Sequence, residues 1–303
     1  MNRVGSHRAP SRPMRIEPPV VARPTLRGLT ALTAILVAVS PTSAQETGPA
    51  AAPTAAEVAR ELSNPVGSLA SLNLQVNYNQ WGGSAPDIGD QSTGSIVFLP
   101  VLPFKVGSGN LAVRPSFPFA GVPIVDPDTG EWTKKRGFGD MAILTNWGRK
   151  EESGVLWGFG GTFVLPTASD DALGQGQWQA GPSALLGLLK EWGVVGVLWQ
   201  HWFGLNSDEG EDKANKGTLQ VFYWFSLPKG WQIGGSPIPT ANYLSAETEF
   251  TVPINLGVAK TFLVGKTPLK TTLQGQYFVT RPDVIGPDWG VFFQITPVVK
   301  VPW

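Results

Sequence analysis

Hydrophobic and polar residues alternate one for one through much of the chain after Ser63, in runs broken by clusters of Gly, Pro, Asn and Asp. A period of two belongs to extended strands, whose successive side chains point to opposite faces. In the first run Ser71, Asn73, Gln75, Asn77 and Asn79 share one face, and Leu72, Leu74, Val76 and Tyr78 the other. Further on, Lys270, Thr272, Gln274 and Gln276 oppose Leu269, Leu273, Tyr277 and Val279, while Phe250, Val252, Ile254, Leu256 and Val258 oppose Thr251, Asn255 and Gly257. The last run sets Gln294, Thr296 and Lys300 against Trp289, Val291, Phe293, Ile295, Val299, Val301 and Trp303. The pattern predicts twelve strands, near 69–81, 92–103, 110–120, 138–148, 154–165, 176–189, 192–204, 217–227, 230–238, 248–262, 268–280 and 288–303. The second, seventh and ninth are blurred. Between Ser183 and Phe203 the chain is apolar enough to suggest a helix, but Lys190 and Glu191 divide it into two strand-length halves and predict a hairpin.

An even number of strands of this length predicts an all-β fold, a single antiparallel up-and-down β-barrel that crosses a membrane with apolar side chains outward and polar ones inward. The connections supply a separate test. Those at 82–91, 121–137, 166–175, 205–216, 239–247 and 281–287 are long, and those at 105–109, 149–153, 190–191, 228–229 and 264–267 are short. Such alternation matches long external loops and tight periplasmic turns, and puts both chain ends on the periplasmic side. Trp147, Trp192, Trp231 and Trp303 then fall at periplasmic strand ends and Trp81, Trp178, Trp202 and Trp289 at external ends, forming two interfacial girdles. A soluble β-sandwich would bury these rings but would leave the polar faces unexplained.

Ahead of the strands, Arg15, Arg23 and Arg27 precede an apolar run from Leu29 to Val39 and then Pro41-Thr42-Ser43-Ala44. This predicts a signal peptide over 1–44, cleaved after Ala44, with Met1 or Met14 as the start. The alternative, a short anchor helix, meets the difficulty that a membrane-spanning helix needs about 20 apolar residues. Residues 45–66 are predicted to be a flexible periplasmic lead-in with two helical turns from Ala55 to Leu62, the alternative being that the segment tucks into the barrel mouth, which nothing local indicates, and 67–303 the barrel.

Composition narrows the function classes. Charged residues make up 15%, against roughly 25% in soluble globular domains. Lys plus Arg and Asp plus Glu balance at 23 each, so nothing advertises a nucleic-acid partner. Cysteine is absent, which removes disulfides, thiol chemistry and a lipid-attachment site. Asp208, Glu209, Glu211 and Asp212 form one acidic loop and Asp170 with Asp171 another, but their spacing fits no calcium loop, so no metal is predicted. No phosphate-binding or zinc motif occurs, and no cofactor is implied.

A twelve-stranded barrel lies between eight-stranded ones filled by side chains and porins of about 16 to 18 strands with open channels, so a narrow passage is expected. Asn73, Gln75, Asn77, Arg114, Lys270, Gln274, Gln276, Gln294 and Lys300 are the candidate lumen-lining residues that would contact a small solute. Two other classes compete with passive transport. One is a structural or adhesive barrel, which the modest loops disfavour. The other is a phospholipase-type enzyme using His201, the sole histidine after residue 44, for which no local motif marks a serine. The expected partners are outer-membrane lipids, lipopolysaccharide and the barrel-insertion machinery, in the outer membrane of a Gram-negative bacterium.

Several stretches carry a family resemblance: Glu61-Leu62-Ser63-Asn64-Pro65-Val66, Gly137-Phe138-Gly139-Asp140, Phe163-Val164-Leu165-Pro166-Thr167-Ala168, Gly176-Gln177-Trp178-Gln179-Ala180-Gly181-Pro182, Phe250-Thr251-Val252-Pro253-Ile254-Asn255-Leu256 and Gly286-Pro287-Asp288-Trp289-Gly290. Together they resemble an outer-membrane transporter family labelled "MetA-pathway of phenol degradation" and often mislabelled neuromedin U. The resemblance implies an outer-membrane barrel with a transport role, passing small, aromatic or hydrophobic solutes, and carries over no functional residue. The strand ending at Trp303 is similar in another respect to outer-membrane proteins, whose insertion machinery recognises a terminal strand ending in an aromatic residue.

Overall fold

The computed structural model describes residues 54–126, 129–206, 213–243, 248–265 and 267–300. The expected signal peptide, the acidic cluster of Asp208 to Asp212 and the terminal Trp303 lie outside them. The strands are β1 (Ala70–Gly82), β2 (Ser92–Val106), β3 (Gly109–Val125), β4 (Trp132–Phe138), β5 (Met141–Lys150), β6 (Val155–Leu165), β7 (Gln179–Lys190), β8 (Gly193–Gly204), β9 (Asn215–Leu227), β10 (Trp231–Gly235), β11 (Thr240–Asn242), β12 (Glu249–Val264), β13 (Thr267–Thr280) and β14 (Gly286–Val299). Every ladder is antiparallel, and β1 pairs with β14 from Ala70 opposite Val299 to Gly82 opposite Gly286, which closes the sheet on itself. Closure removes the two open edges that a flat sheet would leave, so most of the backbone is satisfied within the wall.

The wall has twelve staves, two of them split. β3 pairs with β5 as far as Ser116 opposite Ala142, then with β4 from Phe119 opposite Phe138. Between the two ladders the amide of Gly139 donates to the carbonyl of Pro118 at 3.0 Å. Residues 121–137, expected as a loop, are therefore mostly a hairpin projecting beyond the wall. Val122, Ile124 and Val125 extend β3, and β-branched residues favour the extended chain.

The second split stave is β10 and β11. β10 pairs with β12 up to Gly234 opposite Gly257, and β11 resumes at Thr240 opposite Thr251. Ser236-Pro237-Ile238-Pro239 makes no ladder with the facing part of β12, which itself contains Pro253 at a register shift. Proline lacks the donor a ladder needs, so its place in sheets is an edge or irregularity. Towards β9 the ladder survives, because Leu219 and Val221 donate to the carbonyls of Pro239 and Pro237 at 2.9 Å.

The predicted alternation of faces holds on the arc from β12 through β14 to β1. Leu256 and Ile254 are 65% and 56% exposed, whereas Asn255 and Gln274 are 5% and 3% exposed. The arc from β5 to β9 departs from it. There Leu144, Leu156, Leu185, Leu189, Val194, Leu198, Phe222 and Trp224 are buried in one cluster, while Phe159, Leu186, Trp199 and Phe225 face outward. Apolar side chains thus occupy both faces, and a polar interior is the rule for only half of the barrel.

The long connections also carry structure. Lys135 Nζ lies 2.8 Å from Asp170 Oδ2 across the β4 hairpin and the 166–178 loop. The hydrogen bond from Lys135 holds the Asp170 carboxyl below its ordinary range, helped by the Ala172 amide. A depressed carboxylate stabilises above its unfolded value and loses that contribution as pH falls through the folded one. Residues 167–173 should therefore be protected from hydrogen exchange at neutral pH and lose protection in acid; equal protection at both would show the contact to be idle. Asp140 anchors the same loop: Oδ1 accepts the amides of Thr167 and Ala168, and Oδ2 that of Gln175.

Candidate functional site in the barrel lumen

From Thr54 the described part of the segment ahead of β1 packs against the barrel. Thr54 and Glu57 form a reciprocal capping box that starts α1 (Ala55–Glu61), satisfying amide donors that a helix start leaves open. The Thr54 amide and hydroxyl hold the Glu57 carboxyl below its usual range. Beyond α1 the chain crosses the mouth on the side of the short turns and inserts. The Ser63 hydroxyl donates to the Ala59 carbonyl at 2.9 Å, and meets Gln232 Nε2 at 3.2 Å and Lys270 Nζ at 3.3 Å. Val66 goes deepest. It is 2% exposed, its carbonyl accepts from Asn110 Nδ2 at 2.9 Å, and its side chain joins the apolar cluster of the wall. Gly148 and Gly158 make room for it, since a Cβ on Gly148 would come within 2.8 Å of Val66 Cγ1.

Above this floor lies a cavity of about 440 Å³. One side is polar, with Asn73, Gln75, Asn77, Asn255, Thr272, Gln274, Gln276 and Gln294. Gln75 Nε2 donates to Gln294 Oε1 at 3.0 Å, and Gln274 Oε1 accepts the Ser236 amide at 2.9 Å, where the β10–β11 stave is interrupted. The other side is apolar, with Leu185, Val194, Leu198, Phe222 and Trp224. The charged residues lining it are Arg114, Lys270 and Glu61. Glu61 Oε1 accepts from Asn64 Nδ2 and the Ser68 amide, both at 3.4 Å. Lys270 Nζ stands 5.5 Å over the Trp224 ring, and Arg114 Nε is buried without a hydrogen-bond partner. The lumen therefore offers a polar strip, an apolar strip and a surplus of cationic donors.

Of the candidate lumen residues, Asn73, Gln75, Asn77, Arg114, Lys270, Gln274, Gln276 and Gln294 line this cavity. Lys300 does not; it follows the last paired residue, Val299, and is exposed. Among the girdle candidates Trp178, Trp192, Trp231 and Trp289 expose their rings. Trp147 stacks edge-on against Trp157 and lies against Phe159 at the short-turn end. Trp81 turns inward, donating to the buried Thr93 hydroxyl at 2.9 Å. Trp202 also points inward, two positions along from Gln200 and four from the buried Leu198, with its Nε1 buried. The reason is strand phase: Trp81 shares the inward face of Asn77 and Asn79, because the residue skipped at the register shift beside it, Asp288, belongs to β14, and Trp202 shares the face of Leu198 on β8, which carries apolar residues on both faces.

Sequence reasoning offered insertion of this segment only as an alternative with no local signal, and missed the apolar strip. The blurred alternation of β8 was a signal for the strip, and Glu61 to Val66 was noted only as a shared stretch. His201 faces outward, with Nε2 2.8 Å from Asn215 Oδ1 and its ring packed against Phe203 and Tyr243.

No family model matches the chain and no curated protein matches it. Among solved structures, the COG4313 outer membrane channel from Pseudomonas putida F1 is similar over 78% of this chain and 98% of that one, at 15% identity and a TM-score of 0.57. The beta domain of the Bordetella autotransporter BrkA covers 76% of this chain and 100% of its own, at 12% identity and a TM-score of 0.46. The first of these likenesses shows a shared fold.

Proposed function

We propose that this chain is a narrow diffusion channel of the Gram-negative outer membrane, passing small solutes that carry an apolar body and a polar or anionic group. The observation that carries the reading is the two-sided lumen: a closed wall encloses a cavity of about 440 Å³ with glutamine and asparagine amides on one side and Leu, Val, Phe and Trp side chains on the other. An amphiphilic solute gains from both strips. A purely polar solute would leave the apolar strip wet, and a purely apolar one would strip water from the amides without replacing their hydrogen bonds.

Supporting the membrane reading are the apolar outer faces, such as Leu256 and Ile254, and the likeness in fold to a protein described as an outer membrane channel. Long loops mark the external end and short turns the periplasmic end, so the Ser63–Val66 insertion stands at the periplasmic mouth. On this reading the outer wall meets membrane lipids and lipopolysaccharide, and the terminal strand is what the insertion machinery would engage. Conductance of the refolded protein in planar bilayers, with liposome swelling in series of carboxylates of rising apolar size, tests the proposal. Discrete conductance steps with faster swelling for amphiphilic than for fully polar solutes of equal size is the expected result; a barrel sealed to ions and to every solute would end it.

A further inference from the structure

We infer that the outer wall at the β3–β4–β5 junction is a binding site for a phosphorylated, acylated glycolipid of the outer leaflet, of the lipid A type. The inference rests on the membrane orientation adopted above but not on conduction.

The site starts with the interrupted stave. Because β3 leaves β5 at Ser116 and takes up β4 at Phe119, the wall is loosely knit at Phe117-Pro118 and Gly139-Asp140. A groove of about 270 Å³ opens there, lined by Phe117, Pro118, Phe138, Gly139, Met141 and Thr167. Phe117 and Phe138 are 41% and 60% exposed and so belong to the outer, lipid-facing surface. Phe119, edge-on to Phe138 with ring centroids 5.3 Å apart, extends the apolar rim. Such a groove in the outward face is the shape an acyl chain fills, and its walls offer it dispersion contacts rather than hydrogen bonds.

Charge follows directly above. Residues that face one another across β3 and β4 share a face, so Arg136 opposite Gly121 and Lys134 opposite Pro123 point the same way as Phe138 opposite Phe119. A Cβ on Gly121 would lie 3.4 Å from Arg136 Cγ, which confirms the direction. At about 3.4 Å per residue the two cations stand about 7 Å and about 14 Å beyond the Phe138 ring towards the external end. Lys135, between them, turns to the opposite face and pairs with Asp170. Lys134 and Arg136 have no carboxylate partner among the described residues. An apolar slot at hydrocarbon depth surmounted by two unpaired cations matches an amphiphile whose phosphates lie just above its acyl chains, and Arg supplies the forked donor suited to phosphate. Lipid A, rather than a glycerophospholipid, is the occupant at this end because it forms the outer leaflet there.

The test uses the refolded full-length mature chain and bisphosphorylated lipid A as probe, with binding read by native mass spectrometry and by thermal shift. Lys134→Gln with Arg136→Gln should weaken binding by about tenfold, the scale of two partly exposed charge-assisted contacts. Met141→Trp, which fills the groove, should weaken it while leaving both cations in place, and dephosphorylated lipid A should bind the unaltered protein as poorly as bisphosphorylated lipid A binds the charge variant. Unchanged binding in either variant would overturn the site, as would equal binding of phosphatidylglycerol. Conductance measured on the same preparations separates the two readings, since the charge variant should conduct as the unaltered barrel does, and a barrel that seals yet binds lipid A would end the channel and keep the site.

Discussion

Replacing Val66 by Asp raises the conductance of the refolded barrel by roughly twofold or more, as a constriction that limits passage is withdrawn. The magnitudes decide this outcome. Three polar contacts tie the inserted segment to the wall, through Asn110, Gln232 and Lys270, each contributing about 1 kcal/mol net. Burial of the Val66 side chain adds about 1.5 kcal/mol or somewhat more. Against that gross 4 to 5 kcal/mol, diminished by the cost of ordering the segment, an unpaired carboxylate in an apolar cluster costs several kcal/mol, so the segment leaves. Val66→Ala removes only part of the burial and should give intermediate, flickering currents. The absence of cysteine makes the converse test clean: with Val66→Asp present, Ser63→Cys and Gln232→Cys joined by a short bis-methanethiosulfonate linker should restore the low-conductance state until a reductant cleaves the linker's disulfides. A Val66→Asp barrel that conducts like the parent would mean that this segment does not limit passage.

Neutralising the lumen cations has the second large effect. Arg114 and Lys270 face a cavity whose one lining carboxylate among the described residues, Glu61, is turned towards the segment's own amides. Charged rings in a narrow passage set ion preference because the low-dielectric wall screens poorly. The unaltered channel is therefore expected to prefer anions in a salt gradient, and Arg114→Gln with Lys270→Gln to bring the reversal potential close to zero with little change in open conductance. Lys270→Gln alone also removes the contact to Ser63, so it should raise open probability as well as reduce selectivity, whereas Arg114→Gln should change selectivity alone. A reversal potential indifferent to both residues would place the ion path away from them.

The residues explain what could be read in advance. Alternation is visible wherever one face is lipid and the other amide, so the strands carrying Asn73, Gln274 and Gln294 declared both their existence and their direction. It fails where Leu185, Leu198 and Phe222 line the lumen, because an apolar residue that faces the lumen and one that faces outward are chemically alike. The hairpin of β3 and β4 was hidden by Gly, Pro and Asp residues that read as a loop, although its pairing is as regular as that of the wall. The insertion of Val66 was beyond local reading for another reason: the room for it is made by two distant glycines, Gly148 and Gly158, whose contribution is the side chains they lack. Of the tryptophans read as interfacial, Trp178, Trp192, Trp231 and Trp289 are exposed, whereas Trp81 and Trp202 turn inward because strand phase sets their direction.

The break at Ser236-Pro237-Ile238-Pro239 carries a mechanical consequence. Hoop tension around a barrel passes from stave to stave through ladder hydrogen bonds, and at this height the junction with β12 has none between Gly234 and Thr240. Load there is borne by the Tyr223 hydroxyl on the Asn255 carbonyl and by the Gln274 side chain on the Ser236 amide. A bilayer that thins or stretches would accordingly deform this barrel along one meridian, turning a round cross-section oval rather than widening it evenly.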